Sequence, residues 1–151
     1  MNQGDPIPTA HVVDAGGQPV DLAKLAGPLV IYFYPKDDTS GCTREAQDFT
    51  AAARAFAAAG ARVIGVSPDS PASHAKFATK HHLTVELASD PDNAAAMAFG
   101  VWGEKKLYGR TYMGVERATF LFGADGMLVQ AWRKVRVPGH VEAVLAAAQG
   151  L

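Results

Sequence analysis

The stretch LVIYFYPKDDTSGCTRE, residues 29–45, decides the fold. It opens with a continuous apolar run of β-branched and aromatic side chains, which is typical of a central strand buried on both faces. Pro35 ends this run, because proline cannot donate a hydrogen bond to a neighbouring strand. The polar turn KDDTSG follows, and from about Cys42 to Ala59 apolar side chains recur at helical spacing. We therefore predict a buried strand that delivers Cys42 to the first turn of a long helix.

Strand and helix patterns alternate on both sides of this stretch. His11–Val13 and Pro19–Leu22 flank a glycine-containing turn and predict an N-terminal hairpin. We predict further strands at Arg62–Val66, Val85–Ala88, Val115–Phe122 and Met127–Val135, and a long loop over residues 102–114. We predict further helices from a cap at Ser70 or Ser73 to about His81, from Asp90 or Asp92 to Phe99, and from Pro138 to Gln149. We expect the loop aromatics Trp102, Tyr108 and Tyr112 to pack beside the first helix.

This order of elements predicts an α/β fold with a central mixed β-sheet flanked by helices. The connections favour a thioredoxin-like fold over a Rossmann fold, and no GxGxxG motif follows the first buried strand. A chain of 151 residues suits a single domain, which we expect to span residues 1–151.

The composition excludes several classes of protein. Hydrophobic residues make up 48% of the chain and charged residues 19%, which is unlike a disordered protein. The net charge of −1 argues against binding to nucleic acid. No apolar run approaches the ~20 residues that a membrane span needs. The N-terminal residues lack the pattern of a signal peptide, and the single cysteine suits a reducing compartment, so we expect a cytoplasmic protein.

Cys42 is predicted where a helix begins, a position that favours an anion. The thiolate is the nucleophilic form of cysteine, yet a thiol at the reference pKa of about 8.5 is only ~3% ionised at pH 7. Raising the ionised fraction to roughly 90% requires about 3.4 kcal/mol. A helix end supplies at most ~2 kcal/mol, whereas a cation about 4 Å away contributes on the order of 4 kcal/mol at an effective dielectric constant of 20. We therefore expect an Arg or Lys from elsewhere in the fold beside Cys42.

A lone cysteine is most often an inert, buried side chain of small size. The residues around Cys42, from Asp37 to Glu45, are polar or small, which favours a reactive thiol over a structural one. Pro35, Thr39 and Cys42 also form the pattern PxxxTxxC, which resembles the active-site motif of the peroxiredoxins. Residues 33–49, FYPKDDTSGCTREAQDF, resemble the peroxiredoxin Q branch, also called the bacterioferritin comigratory proteins. Residues 99–122 and the turn GADG at residues 123–126 resemble the same branch. The similarity extends over nearly the whole chain.

The resemblance implies a thiol-dependent peroxidase that reduces hydrogen peroxide and small organic hydroperoxides without a metal or organic cofactor. Cys42 would attack the peroxide and become a sulfenic acid, and Arg117 would be the neighbouring cation. Thr39 would hydrogen-bond the thiolate and the peroxide, and Pro35 would shield the sulfur from water. Glu45 would support the arginine, although a helix-capping role suits it equally. From the residues alone, Arg117 could instead face solvent, Thr39 could form the turn and Pro35 could simply end the strand.

Two positions depart from the family pattern. Ser40 stands where the family often has proline, and Gln47 stands where many members carry a second, resolving cysteine. The sequence therefore predicts a one-cysteine variant that an external thiol recycles, such as thioredoxin, glutaredoxin or glutathione. We expect a monomer or weak homodimer.

Two other functions remain open from the sequence. A thiol–disulfide oxidoreductase is disfavoured, because the helix begins Cys-Thr-Arg-Glu and lacks the second cysteine of a CxxC motif. A redox sensor or chaperone-like binder, oxidised at Cys42 and recognised by a partner, would consume about one peroxide per chain, whereas a peroxidase turns over.

Overall fold

A seven-stranded mixed sheet organises the chain, which the computed structural model describes over residues 1–151. The strands are β1 (His11–Val13), β2 (Pro19–Asp21), β3 (Leu29–Phe33), β4 (Arg62–Ser67), β5 (Glu86–Ser89), β6 (Trp102–Leu107), β7 (Arg110–Val115), β8 (Ala118–Phe122) and β9 (Leu128–Trp132). Their order in the large sheet is β2-β1-β5-β4-β3-β8-β9. The N-terminal hairpin and the mixed sheet are thus confirmed, with β3 parallel to β4 and antiparallel to β8.

Five α-helices accompany the sheet. They are α1 (Ser40–Ala51), α2 (Ala53–Ala58), α3 (Pro71–His81), α4 (Ala94–Ala98) and α5 (His140–Gln149). No helix combines the length and the apolar character that a membrane crossing requires.

Strand β3 joins the two hydrophobic cores of the molecule. Every residue of the strand is buried, and successive side chains point to opposite faces of the sheet. One core contains Leu29, Ile31 and Phe33 with α4 residues, and the other contains Val30 and Tyr32 with buried residues of α1, α2, α3 and α5. This two-sided burial explains the uninterrupted apolar run in the sequence.

The prediction of a long loop over residues 102–114 is wrong. This segment forms the antiparallel hairpin β6–β7, in register from Trp102 opposite Val115 to Leu107 opposite Arg110. Tyr108 and Gly109 make its two-residue turn, both with positive φ. Turns of this kind usually contain Asn-Gly, because asparagine and glycine adopt positive φ readily and tyrosine seldom does. The Tyr-Gly sequence therefore did not indicate a hairpin. Tyr108 is also 96% exposed, contrary to the expected packing.

Two predicted elements are interrupted. The long helix ends at Ala51 and a second one begins at Ala53, next to Thr50, whose hydroxyl accepts long-range hydrogen bonds from the backbone before β5. The strand expected over Val115–Phe122 is divided between β7 and β8. At this division the Glu116 carboxylate accepts hydrogen bonds from the Arg133 side chain on a distant segment, which no local pattern in the sequence reveals.

Candidate active site

Cys42 lies in the first turn of α1, as predicted, and only 1% of its surface is exposed. Strand β3 and the turn after it carry the chain to this helix start. The backbone N–H groups of the first helical turn have no partner inside the helix, so this position favours negative charge. The thiol is therefore buried from bulk water in a place that stabilises its anion.

Arg117 provides the cation that ionisation of the thiol requires. It lies between β7 and β8, and its Nη2 donates a hydrogen bond to Sγ of Cys42 at 3.2 Å. Its Nη1 donates to Oε1 of Glu45 at 2.8 Å, so one guanidinium fork contacts both side chains. Burial opposes the charge on Arg117, but Glu45 and Cys42 together raise its pKa above the ordinary value. A permanent positive charge thus lies directly against the sulfur.

Glu45 is fully buried, one helical turn beyond Cys42. Its Oε1 accepts from Arg117, whereas Oε2 has no hydrogen-bond partner. Burial raises the pKa of Glu45 to about 7, although the nearby guanidinium acts in the opposite direction. The contact with Arg117 favours support of the arginine over a helix-capping role, because Thr39 precedes the helix and Glu45 lies six residues beyond it, where a capping side chain does not reach.

Gly41 allows Arg117 to approach the start of the helix. A Cβ atom at this position would lie 3.2 Å from Nη2 of Arg117, closer than side chains normally pack. The arginine would then have to move by a few tenths of an ångström. In the sequence Gly41 is simply part of the polar turn KDDTSG, and its steric role is not predictable there because it depends on a side chain far along the chain.

Thr39 and Pro35 occupy the loop before α1. Thr39 is the residue that precedes the helix, and its backbone carbonyl accepts a hydrogen bond from the amide of Thr43 at 2.8 Å. Its hydroxyl donates to the Lys36 carbonyl at 3.0 Å and makes no hydrogen bond to Cys42. The expected hydrogen bond with the thiolate is therefore not formed, although the hydroxyl oxygen can still accept a hydrogen bond from another group. Pro35 is half-buried directly after β3 and Tyr34.

The same loop is held at Asp38, whose φ of +61° lies in the left-handed region. Its carboxylate accepts a hydrogen bond from Lys80 at 2.6 Å and lies 2.7 Å from Nε2 of His81. Helix α3 thus fixes the outer side of the loop. No local pattern in the sequence reveals this contact, because Asp38 and His81 lie far apart in the chain.

Two further basic side chains lie near Arg117. His140 is buried, with Nε2 2.8 Å from Oγ1 of Thr119. Burial, assisted by the charge of Arg117, lowers its pKa to about 4, so it is neutral near pH 7. Lys105 is half-buried, and its Nζ donates to the Val115 carbonyl at 2.7 Å. Burial, and then the positive charge of Arg117, lower the pKa of Lys105.

Asp37, Asp69 and His74 are the side chains spaced closely enough to hold a metal ion, with ligand atoms within 4.8 Å of one another. Their polar atoms are already connected by hydrogen bonds to neighbouring groups. The two histidines in the sequence that are adjacent, His81 and His82, do not form such a group.

Comparison with known proteins agrees with this geometry. The profile of the AhpC/TSA family matches residues 3–131. The chain is 52% identical to the peroxiredoxin Bcp of Xanthomonas campestris over 134 residues, which cover 88% of this chain and 84% of that protein. It is 46% identical to the peroxiredoxin Bcp of Bacillus subtilis over 143 residues, covering 94% and 91%.

Solved structures give the same result. The bacterioferritin comigratory protein of X. campestris superposes with a TM-score of 0.86 at 47% identity, covering 93% of this chain and 90% of that one. Peroxiredoxin Q of Xylella fastidiosa superposes with a TM-score of 0.91 at 39% identity, covering 99% and 96%. The fold is therefore the thioredoxin-like peroxiredoxin fold, and a single cysteine fits a one-cysteine member. The chain belongs to the AhpC/TSA family, in its peroxiredoxin Q or Bcp branch, and is a thiol-dependent peroxidase.

Proposed function

We propose that Cys42 reduces hydrogen peroxide and small organic hydroperoxides through a sulfenic acid. The thiolate sulfur attacks one peroxide oxygen, an S–O bond forms and the O–O bond breaks. The attacked oxygen stays on sulfur as the sulfenic acid, and the other leaves as hydroxide or alkoxide and takes a proton from water. The sulfur is oxidised by two electrons and the peroxide is reduced by two.

The observation that carries this proposal is the contact of Arg117 with Sγ of the one cysteine, at 3.2 Å. Positive charge here stabilises both the thiolate and the charge that develops on the oxygens as their bond breaks. The free backbone N–H groups at the start of α1 act in the same direction. The X. campestris relative was studied for alkyl peroxide reduction, which supports organic hydroperoxides as substrates.

Thr39 and Pro35 complete the proposed site. The Thr39 hydroxyl donates to the Lys36 carbonyl, so its oxygen is oriented to accept the O–H of a bound peroxide. Pro35 limits access of water to the sulfur from the β3 side. Glu45 is proposed to hold Arg117 in place and not to contact the substrate.

We propose that an external thiol completes the cycle, because the chain has no second cysteine. One thiol displaces water from the sulfenic acid and forms a mixed disulfide with Cys42. A second thiol attacks this disulfide, releases Cys42 and leaves as the oxidised thiol. Thioredoxin, glutaredoxin with glutathione, and dithiothreitol are the reductants to compare.

Peroxide consumption should be measured with each reductant for the native protein and for Cys42→Ser. The native protein should turn over many times with at least one reductant, and the serine variant should be inactive, because an un-ionised alcohol is a poor nucleophile. Mass spectrometry of the oxidised native protein should show one added oxygen, a thiol adduct or a Cys42-linked dimer, and excess peroxide should add a second oxygen.

Consumption of a single peroxide per chain with every reductant would contradict a peroxidase cycle and support a redox sensor. Activity above a few per cent in purified Cys42→Ser would show that Cys42 is not the nucleophile.

A further inference from the structure

A buried polar network lies behind the loop that joins β3 to α1, and the chemistry at the sulfur does not use it. Its centre is Asp37, which is 8% exposed. Oδ1 accepts a hydrogen bond from the Tyr34 hydroxyl at 2.6 Å, and Oδ2 accepts one from the Ser73 hydroxyl at 2.8 Å. Oδ2 also lies 2.8 Å from Nδ1 of His74. The carboxylate of one loop residue is thus bound on both oxygens.

His74 extends this contact across the sheet. Its Nε2 lies 3.0 Å from the carbonyl oxygen of Ala88, in β5. A carbonyl only accepts, so Nε2 carries a proton and donates it. Because an ionised carboxylate only accepts, the 2.8 Å contact of Nδ1 with Oδ2 of Asp37 is a hydrogen bond that the ring donates. The imidazole of α3 therefore links a strand of the sheet to the loop, and the two side chains that form the contact are each 4% exposed.

The backbone of Asp37 is held as well. Its amide donates to Oδ2 of Asp69 at 2.8 Å, and the same oxygen accepts from the Ser67 hydroxyl at 2.7 Å. The groups that face His74 are thus the Asp37 carboxylate, the Ala88 carbonyl and the Tyr34 hydroxyl, 3.3 Å from Nδ1. Burial alone would raise the pKa of Asp37, but its hydrogen bonds, His74 first among them, lower it overall.

Asp37 lies two residues after Pro35 and two residues before Thr39. It therefore lies midway between the two loop residues that are proposed to act at the sulfur. The Arg117 contact with Cys42 comes from a different part of the chain and shares no residue with this network. The loop geometry and the stabilisation of the thiolate can thus be disturbed separately.

We propose that His74 is a positioning residue for peroxide reduction, which it serves by holding Asp37 and hence the Pro35–Thr39 loop in the reactive arrangement around Cys42. This inference rests on the proposed function of Cys42. A loop that is displaced by about 1 Å can slow an oriented reaction by as much as a hundredfold. The network has the connections such a role requires, because α3, β5 and the loop all meet at one imidazole.

Two substitutions separate the two contacts of His74. In His74→Asn the amide nitrogen lies near the former position of Nδ1, so a donor to Asp37 is kept and the Ala88 contact is lost. In His74→Gln the amide nitrogen lies near the former position of Nε2, so the Ala88 contact is kept and the donor to Asp37 is lost. Both variants lose one hydrogen bond and the ring, which makes each the control for the other.

The second-order rate constant for oxidation of Cys42 by hydrogen peroxide should be measured by stopped flow, together with urea unfolding and the pH titration of the thiolate. His74→Gln should react at least about tenfold more slowly than His74→Asn. The thiolate titration should be unchanged in both. Equal rate constants, or rate constants that follow the loss of stability, would overturn the proposal.

Ser73→Ala and Ser70→Ala test the same idea if the histidine variants do not fold. Ser73 donates to Asp37, whereas Ser70 caps α3 by accepting from the Ser73 amide at 3.1 Å. Ser73→Ala should slow oxidation about threefold and Ser70→Ala less than twofold, although the lost cap costs helix stability. The reverse order would overturn the proposal. A native protein that does not react with peroxide would instead refute the proposed function.

Discussion

Removal of the positive charge beside the sulfur is the most direct test of the site. In Arg117→Ala the thiolate loses a guanidinium nitrogen at 3.2 Å. Two unit charges at this separation attract by about 5 kcal/mol at an effective dielectric constant of 20. Glu45 would lose its one ion-pair partner at the same time, and as a buried carboxyl it would take up a proton. The negative charge of Glu45 would therefore no longer repel the thiolate.

Water entering the space vacated by Arg117 would replace part of the lost attraction of about 5 kcal/mol between the guanidinium and the thiolate. If half is recovered, the remaining ~2.5 kcal/mol moves the midpoint of the thiolate titration upward by nearly 2 pH units, and a thiol that starts roughly 90% ionised loses about eightfold in thiolate at pH 7. Peroxide attack slows further, because the same charge is lost from the transition state. Arg117→Lys should fall between the native protein and the alanine variant, because lysine keeps the charge but lacks the fork that contacts both Cys42 and Glu45.

The assay is the ultraviolet absorbance of the thiolate against pH, combined with stopped-flow peroxide oxidation. Lys106→Ala is the matched control, because it also removes one cation but from the exposed outer part of β6. The control should leave both measurements within about twofold of the native values, as expected for a screened surface charge. An unchanged titration midpoint in Arg117→Ala would refute the argument and show that the helix start alone stabilises the anion.

Three more substitutions test neighbouring parts of the site. Gly41→Ala should stabilise α1 by up to about 1 kcal/mol and yet slow peroxide reduction several-fold, because the added Cβ displaces Arg117. Urea unfolding should therefore show a more stable protein while peroxide kinetics show a slower one, and unchanged activity would contradict the steric role of Gly41. Burial holds the pKa of Glu45 near 7, so the native state carries an extra proton between about pH 4.5 and 7 and loses stability as the pH rises through this range; Glu45→Gln should remove this pH dependence, which amounts to at most ~3 kcal/mol, and parallel pH curves of unfolding free energy would contradict it. Gln47→Cys should form an internal disulfide with Cys42 after oxidation. Cα atoms five residues apart in a helix are ~8.7 Å apart and a disulfide requires less than about 7 Å, so the start of α1 must unwind and helical circular dichroism should fall. Over-oxidation like that of the native protein would show that the start of α1 does not unwind.

The Glu45–Arg117 ion pair bears on this last variant. Cys42, Glu45 and Ala46, in the first two turns of α1, are all buried and anchor the start of the helix. Unwinding of the first turns would break the 2.8 Å contact between Arg117 and Glu45. The internal disulfide should therefore form more slowly when Arg117 is present than in Gln47→Cys combined with Arg117→Ala, which gel analysis of the oxidised chains can measure.

Local patterns in the sequence predicted the elements that local interactions specify. The apolar run of β3 can be read without a structure, since a strand buried on both faces has no polar positions. Ser70 and Ser73 were the two candidate caps of α3, and the Ser70 hydroxyl oxygen accepts the Ser73 amide as a helix cap does. The hairpin β6–β7 was not predicted, because its Tyr-Gly turn carries no strong local signal in the sequence.

Residue types a few positions apart, together with the free energy of ionising a thiol, were enough to predict Cys42 as the nucleophile, its place at the start of a helix and the need for a cation. The three-dimensional packing was needed to show that Arg117 divides its guanidinium between Cys42 and Glu45, that the Thr39 hydroxyl points to Lys36, and that His74 contacts Asp37. Except for the Thr39 contact, these interactions join segments 37 to 75 residues apart. Their distances and directions are set by the packing of β3, α3 and β8 in one sheet-and-helix assembly, and no local sequence pattern carries that information.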